Sequence, residues 1–340
     1  MKPSETIVLL QAMISARLPI LLVGSPGVGK TDLVRQAAAS CNARLVLSHP
    51  AVEDPTTPGG IPWPNAATGR ADYLPCGVLA DLLVANVPTV WCLDDIGQAA
   101  PATQAAYMQW ILAREVNGMR LPDCVTIVAC TNRRGDRAGV NGLLEPVKSR
   151  FATIVDCDAD LDDWCNWALD NGIPVPVIAF LRVRSELLCS PKPTTEMVNS
   201  PNPRTWANLA KLVDLELPAS VQMSAYAGAV GEGAACEFLA FQQMFAALVS
   251  ADDILLDAHG SPIPTKLSEL YAVATAVAHR SSAATIGRIL IYADRMLSGG
   301  NGEFAVLMVR DAVRKCKSVT ATGEYIRAMS GPLGKMIIGE

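Results

Sequence analysis

The sequence predicts an α/β fold in its first half and an all-helical second half. Three observations carry this: apolar runs of strand length, helical stretches between several of them, and helical periodicity alone after about residue 160. The runs are "PILLVG", "ARLVLS", "TVWCLD", "VTIVACT" and "TIVDC". Each is continuous and not alternating, as expected for parallel strands covered on both faces.

In chain order, the apolar stretch "IVLLQAMISARLPILLVG" is interrupted by Gln11, Arg17 and Pro19, so it reads as a helix leading into a buried strand and not as a membrane span. Helical stretches at 30–40 and 101–114 separate later strands. Between the second and third strands lies the Pro- and Gly-rich "HPAVEDPTTPGGIPWPNAATGRADYLPCG", a length without its own helix that points to function or disorder. After it, "REVNGMRLPD" has the Asn-Gly centre of a tight hairpin. Helical segments such as "LDDWCNWALDNG", "VIAFLRVRSELL", "RTWANLAKLVDLEL" and "EFLAFQQMFAALVSADDILL" fill the rest, with breaks at 189–203, 258–265 and 297–303. The expected domains are an α/β nucleotide-binding domain over 1–158, a helical lid over 159–250 and a helical extension over 251–340.

Composition narrows the function classes. A chain of 340 residues with half its residues apolar, 18% charged and a formal charge of −5 is suited to packed domains and ill suited to general binding along a phosphate backbone. Ten cysteines at irregular spacing, without a C-x-x-C pair, read as small hydrophobes in a reducing compartment, hence a cytoplasmic protein.

The chemistry begins at "GSPGVGKT". Gly24, Ser25, Pro26, Gly27, Val28, Gly29, Lys30 and Thr31 match G-x-x-x-x-G-K-[ST] between a strand and a helix. The glycines let backbone N–H groups turn toward phosphate oxygens, and the helix N-terminus adds its positive end. Lys30 is a point charge for β- and γ-phosphates and the Thr31 hydroxyl is a Mg²⁺ ligand. The expected ligands are ATP and Mg²⁺.

"VWCLDD" supplies the second half of such a site. Asp94, at the end of a buried strand, would complete the Mg²⁺ shell, partly through water, and Asp95 would act as the general base or orient the attacking water. Alone, two acids after an apolar run are more often a solvated turn. Asn132, ending the next strand, is either a turn-starting amide or one that orients a water toward the γ-phosphate.

The order of these motifs resembles the AAA+ ATPases, and within them the MoxR-like branch of the dynein-related group. Gly24–Thr31 is similar to their Walker A, "WCLDDIGQA" to their Walker B and "VACTN" to their sensor 1. "GLLEPVKSRF" resembles the segment ending in the arginine finger, which falls on Arg150, and "PNPRTW" resembles the lid motif, placing sensor 2 at Arg204. Either arginine read alone is as well a surface ion pair. Asp95 stands where the family usually has Glu, and Gln98 where it often has Arg.

The resemblance implies a homo-oligomeric ring, typically a hexamer, that hydrolyses ATP, remodels a client and works with a partner bearing a von Willebrand factor A domain. It also implies that the stretch 50–75 is an insert facing substrate, with Ile61 and Trp63 either exposed as contacts or, for Trp63, pinned to the core. The basic "NRRGDRAG" reads as a nucleotide or subunit interface. Nucleic acid and membrane are not expected partners, although a nucleic-acid motor and a slow nucleotide-dependent scaffold remain the competing classes.

Overall fold

The computed structural model describes residues 1–136, 142–191 and 196–338. The chain divides into two compact units, Met1–Asp160 and Leu161–Glu340.

The first unit opens with the helix Pro3–Ala16 and contains nine strands among its described residues: β1 Ile20–Gly24, β2 Arg44–Ser48, β3 Ile61–Asn65, β4 Arg70–Leu74, β5 Thr89–Leu93, β6 Glu115–Val116, β7 Met119–Arg120, β8 Val125–Thr131 and β9 Thr153–Cys157. Five form one sheet in the order β2-β5-β8-β1-β9. Every pairing in it is parallel, and these are the five runs expected from sequence.

The alternation of side chains explains why those runs are apolar throughout. Ile20, Leu22, Val90, Cys92, Val128 and Cys130 face one layer, where Leu10, Ile14, Leu33, Val34 and Ala37 of the helices Pro3–Ala16 and Lys30–Ser40 cover them. Leu21, Trp91, Leu93, Ile127 and Ala129 face the other, against Leu79, Leu82, Tyr107, Trp110 and Ile111. Trp91 is buried yet satisfied, its Nε1 donating to Ser48 Oγ at 2.9 Å.

The Pro- and Gly-rich stretch holds structure that the sequence reading did not assign. After a turn of 3₁₀ helix at Pro50–Val52, β3 and β4 pair antiparallel, with Ile61 opposite Leu74 and Trp63 opposite Asp72. Proline is admissible in such a two-stranded ribbon because its strands are edges, where a missing N–H breaks no inner ladder. Trp63 is 59% exposed, so it is not the residue that pins the loop. That is done from beneath, where Trp110 Nε1 donates to Pro58 O at 2.6 Å and Asn117 Nδ2 donates to Gly59 O at 2.9 Å. The expected Asn-Gly hairpin is present as β6 and β7, its turn residues Asn117 and Gly118 at φ 52° and 80°.

The second unit contains no strand among its described residues. Phe180 of the helix Val175–Val183 packs on Trp206, Phe238 and Phe241, with ring centroids 5.4–5.5 Å apart. A second apolar cluster joins the helices Leu267–His279, Ile286–Ser298 and Gly302–Lys315. The segments on either side of residue 250 share a buried ion pair: Arg182 Nη1 lies 2.6 Å from Asp311 Oδ2 and donates to Thr275 Oγ1 at 2.8 Å.

One expected helix is two. "EFLAFQQMFAALVSADDILL" breaks between the helices Glu232–Ala246 and Ala251–Leu256, because Ser250 caps the second by accepting a hydrogen bond from Asp253 N. Residues 232–256 are by length and composition apolar enough to cross a membrane, but this break divides them and Phe238 and Phe241 are buried.

Candidate functional site

Parallel register places the ends of the four neighbouring strands β2, β5, β8 and β1 side by side. Val23 pairs with Thr131, Leu93 with Ala129 and Ser48 with Leu93, so the residues that follow β1, β5 and β8 emerge on one edge of the sheet. Open parallel sheets bind ligands at this carboxyl edge.

The loop after β1 is built around glycine. A Cβ on Gly24 would stand 2.6 Å from Cys157 O, and Gly27 and Gly29 take φ of 79° and 99°. Gly29 caps the helix Lys30–Ser40, so the loop delivers a helix N-terminus to the edge.

Lys30 is 7% exposed. Its ammonium donates to Gly24 O at 2.8 Å, Ser25 O at 3.2 Å and Asn132 Oδ1 at 2.8 Å, which uses all three of its protons. Asn132, 9% exposed, donates through Nδ2 to Asp95 Oδ1 at 3.2 Å. Lysine, amide and carboxylate thus form one chain across β1, β8 and β5. Burial lowers the Lys30 pKa, opposed by the charges of Cys130, Asp95 and Asp94.

A second chain runs beside the first. Thr31 Oγ1 donates to Asp94 Oδ2 at 2.8 Å, and Asp94 N is fixed by Ser48 O at 2.9 Å. Among the described residues no group of three His, Cys, Asp or Glu side chains forms a metal cage. A hydroxyl and one carboxylate fit Mg²⁺, which takes few protein oxygens and completes its octahedron with water and substrate phosphates.

Asp95 adopts φ 56°, ψ 34°. This left-handed conformation is one that Asp and Asn enter more readily than other non-glycine residues. The turn therefore favours the short acid, which the sequence alone left as an unexplained departure.

Arg150 is not brought to this cluster. Arg150 precedes β9 at the opposite edge: Ala152 N donates to Pro19 O, and Thr153 pairs with Ile20. The length of β1, about 13 Å at ~3.3 Å per residue, separates it from the loop of its own chain. Its guanidinium donates to Pro146 O, and its Nε is buried without a partner. Arg204 is exposed in the first turn of the helix Pro203–Asp214, in the second unit.

Arg133 was read from sequence only as part of the basic run "NRRGDRAG", with no role of its own. Its Nη1 donates to Ser25 Oγ at 3.2 Å, while Nε donates to Asp156 Oδ1 at 2.9 Å and Nη2 to Asp158 Oδ1 at 2.5 Å. The available signal was its place directly after a strand-ending Asn. The rest of the basic run, 137–139, lies outside the described residues.

A phosphate-binding loop on a parallel sheet with an acid and an amide at the neighbouring strand ends defines a nucleotide-binding phosphate-loop domain. Residues 20–158 match the family described as ATPases associated with various cellular activities, AAA. This segment has the fold of an AAA ATPase domain. No curated protein matches the chain in sequence.

Solved structures that resemble it include a mutant of Thermotoga maritima RuvB, at 16% identity over 87% of each chain with a TM-score of 0.41. The Thermotoga maritima RuvB Holliday junction branch migration motor is 16% identical over 88% of this chain and 87% of its own, with a TM-score of 0.39. NtrX from Brucella abortus in complex with ADP is 15% identical over 93% of this chain and 68% of its own, with a TM-score of 0.42.

Proposed function

We propose that the protein is an ATP hydrolase of the MoxR-like branch, acting in the cytoplasm as a ring, most simply a hexamer, that remodels a client protein. The observation that carries the ATPase reading is the convergence of Lys30, Thr31, Asp94, Asp95 and Asn132 on one sheet edge through hydrogen bonds of 2.8–3.2 Å.

In this reading Gly24–Thr31 wraps the phosphates and Lys30 exchanges one or more of its three oxygen partners for β- and γ-phosphate oxygens. Thr31 and Asp94 hold Mg²⁺, which neutralises charge on the phosphates when bound. Asp95 accepts the proton of the attacking water, and Asn132 keeps that carboxylate and Lys30 at fixed separation. Arg150, remote from its own chain's loop, serves the γ-phosphate of a neighbouring subunit, where a trans cation accelerates transfer by ~10³ or more. Arg204 reports the same phosphate from the lid, residues 159–250, and 251–340 form an extension that docks client or adaptor, a von Willebrand factor A domain being the partner class. The β3–β4 ribbon, with Ile61, Trp63, Tyr73 and Leu74 at 43–59% exposure, is the client-facing surface.

A second reading is a slow nucleotide switch, favoured by Asp95. The shorter acid withdraws the carboxylate by ~1.3 Å relative to Glu, and misplacement of that size costs up to ~10²-fold.

Phosphate release by purified protein with ATP and Mg²⁺ tests both. Turnover by the wild type, its loss in Arg150→Ala, and partial recovery when Arg150→Ala is mixed with Asp95→Asn support the shared-site ATPase. Nucleotide-dependent assembly with negligible turnover supports the switch. Stimulation by DNA and not by protein sinks the client-remodelling reading in favour of a nucleic-acid motor.

A further inference from the structure

Consecutive residues at the end of β8 send their side chains to opposite neighbours, as extended backbone requires. Asn132 turns toward Asp95 after β5, and Arg133 turns toward Ser25 after β1 and Asp156 in β9. Asp158, two residues beyond Asp156, presents its carboxylate on the same side, and Arg133 Nη2 reaches both, at 2.6 Å and 2.5 Å. One planar fork thus places Nε and Nη2 on two carboxylates and Nη1 on a hydroxyl of the phosphate loop.

Ser25 is the shared point. Its carbonyl accepts from Lys30 Nζ at 3.2 Å and its hydroxyl accepts from Arg133 Nη1 at 3.2 Å, so both oxygens of one loop residue are held by cations. A phosphate oxygen entering the loop offers both cations an acceptor with more negative charge than a carbonyl or a hydroxyl. At the loop end Arg133 meets a neutral hydroxyl, and at the other end the charges of Asp156 and Asp158. The loop end of the network is therefore the end that gives, while the carboxylate end stays attached. The two carboxylates also hold the guanidinium well above its ordinary pKa, so the fork is charged at any working pH.

We infer that Arg133 is a positioning residue that couples the state of the phosphate loop to the segment Asp158–Asp160, the last of the first unit before the helix Leu161–Asp170. The inference rests on the nucleotide-binding reading of that loop and adds the route by which occupancy leaves the site. Each ion pair is half exposed and worth little by itself. What matters is that a single rigid fork spans three groups, which a lysine cannot do.

Hydrogen exchange of the full chain with and without ATPγS and Mg²⁺ tests it. The wild type is expected to bind ATPγS and to change exchange at 158–161 by about fivefold or more, the size of a typical coupling. Arg133→Ala and Arg133→Lys are expected to lose that change while retaining ATPγS binding, as is Asp158→Asn. Asp156→Asn with Asp158→Asn removes the carboxylate end alone and is expected to behave like Arg133→Ala, which covers the case in which Arg133→Ala folds poorly. Because all act on one network, Arg133→Ala with Asp158→Asn is expected to be no worse than either alone. A nucleotide-dependent change that survives in Arg133→Ala or in Asp156→Asn with Asp158→Asn, or a wild type that binds ATPγS with no change at 158–161, overturns the coupling. A wild type that binds no ATPγS overturns the phosphate-loop reading itself.

Discussion

Asn132 accepts a hydrogen bond from Lys30 Nζ at 2.8 Å and is thereby interposed between that lysine and Asp95, to which it donates at 3.2 Å. An amide accepts through its oxygen and donates through its nitrogen, which neither an ammonium nor a carboxylate can do. Asn132→Ala is expected to lower turnover by ~10–100-fold with little change in nucleotide affinity, because it frees the acid without removing a phosphate contact. Asn132→Asp places a second carboxylate against Asp95 and should do at least as much harm. Steady-state kinetics and calorimetric ATPγS titration separate the two effects, and a large loss of affinity in Asn132→Ala would contradict the role.

The left-handed backbone at Asp95 sets the expectation for its replacements. Asp95→Asn keeps the conformation and is expected to bind nucleotide while losing hydrolysis. Asp95→Glu strains the turn and pushes the carboxylate about 1.3 Å past its Asn132 partner, so turnover is expected to fall by ~10-fold or more. A rise in kcat would instead mean that the shorter acid is itself the brake.

Lys30 carries a pH signature with a definite sign. Its folded pKa is lowered from 10.5, first by desolvation, so between that lowered value and 10.5 the unfolded chain binds more protons than the folded one. The cost of the buried ammonium is fully present below the lowered value and is relieved as pH rises through that window. Lys30→Met is expected to remove this rise from the difference in urea-unfolding free energy between variant and wild type over pH 8–11, and to abolish ATPγS binding. An unchanged pH slope would mean that the ammonium is hydrated.

Two tryptophans in the same region make opposite predictions. Trp110 is fully buried and Trp63 is 59% exposed. Trp110→Ala is expected to cost about 3–5 kcal/mol in unfolding free energy, while Trp63→Ala stays within about 0.5 kcal/mol. A large loss in Trp63→Ala would show that the ribbon packs against something in the free protein.

Within the second unit, Arg182 and Asp311 are 7% and 6% exposed. Asp311→Ala leaves a buried guanidinium unpaired and is expected to destabilise by about 3–5 kcal/mol. Arg182→Leu with Asp311→Leu should recover much of that loss, since a well-packed apolar pair often replaces a buried ion pair without cost. Denaturant unfolding of the three variants checks it.

The five strands of the sheet were legible because parallel strands buried on both faces write themselves as unbroken apolar runs, and Gly24–Thr31 was legible because its chemistry is contiguous. The β3–β4 ribbon was not, since a strand exposed on both faces has no apolar period and its prolines argue against a strand. Arg133 was legible only as part of a basic run for a related reason: its partners Ser25, Asp156 and Asp158 are far from it in sequence, and nothing local marks them.

What the sequence by itself determined is therefore the sheet, the phosphate loop and the identity of the acids and amide at the strand ends, all properties of residues adjacent in the chain. What only the tertiary structure decided is which of them meet. Parallel register carries Lys30, Asn132 and Asp95 to one edge and leaves Arg150 at the other, because strand order and direction set distances that no spacing along the chain contains.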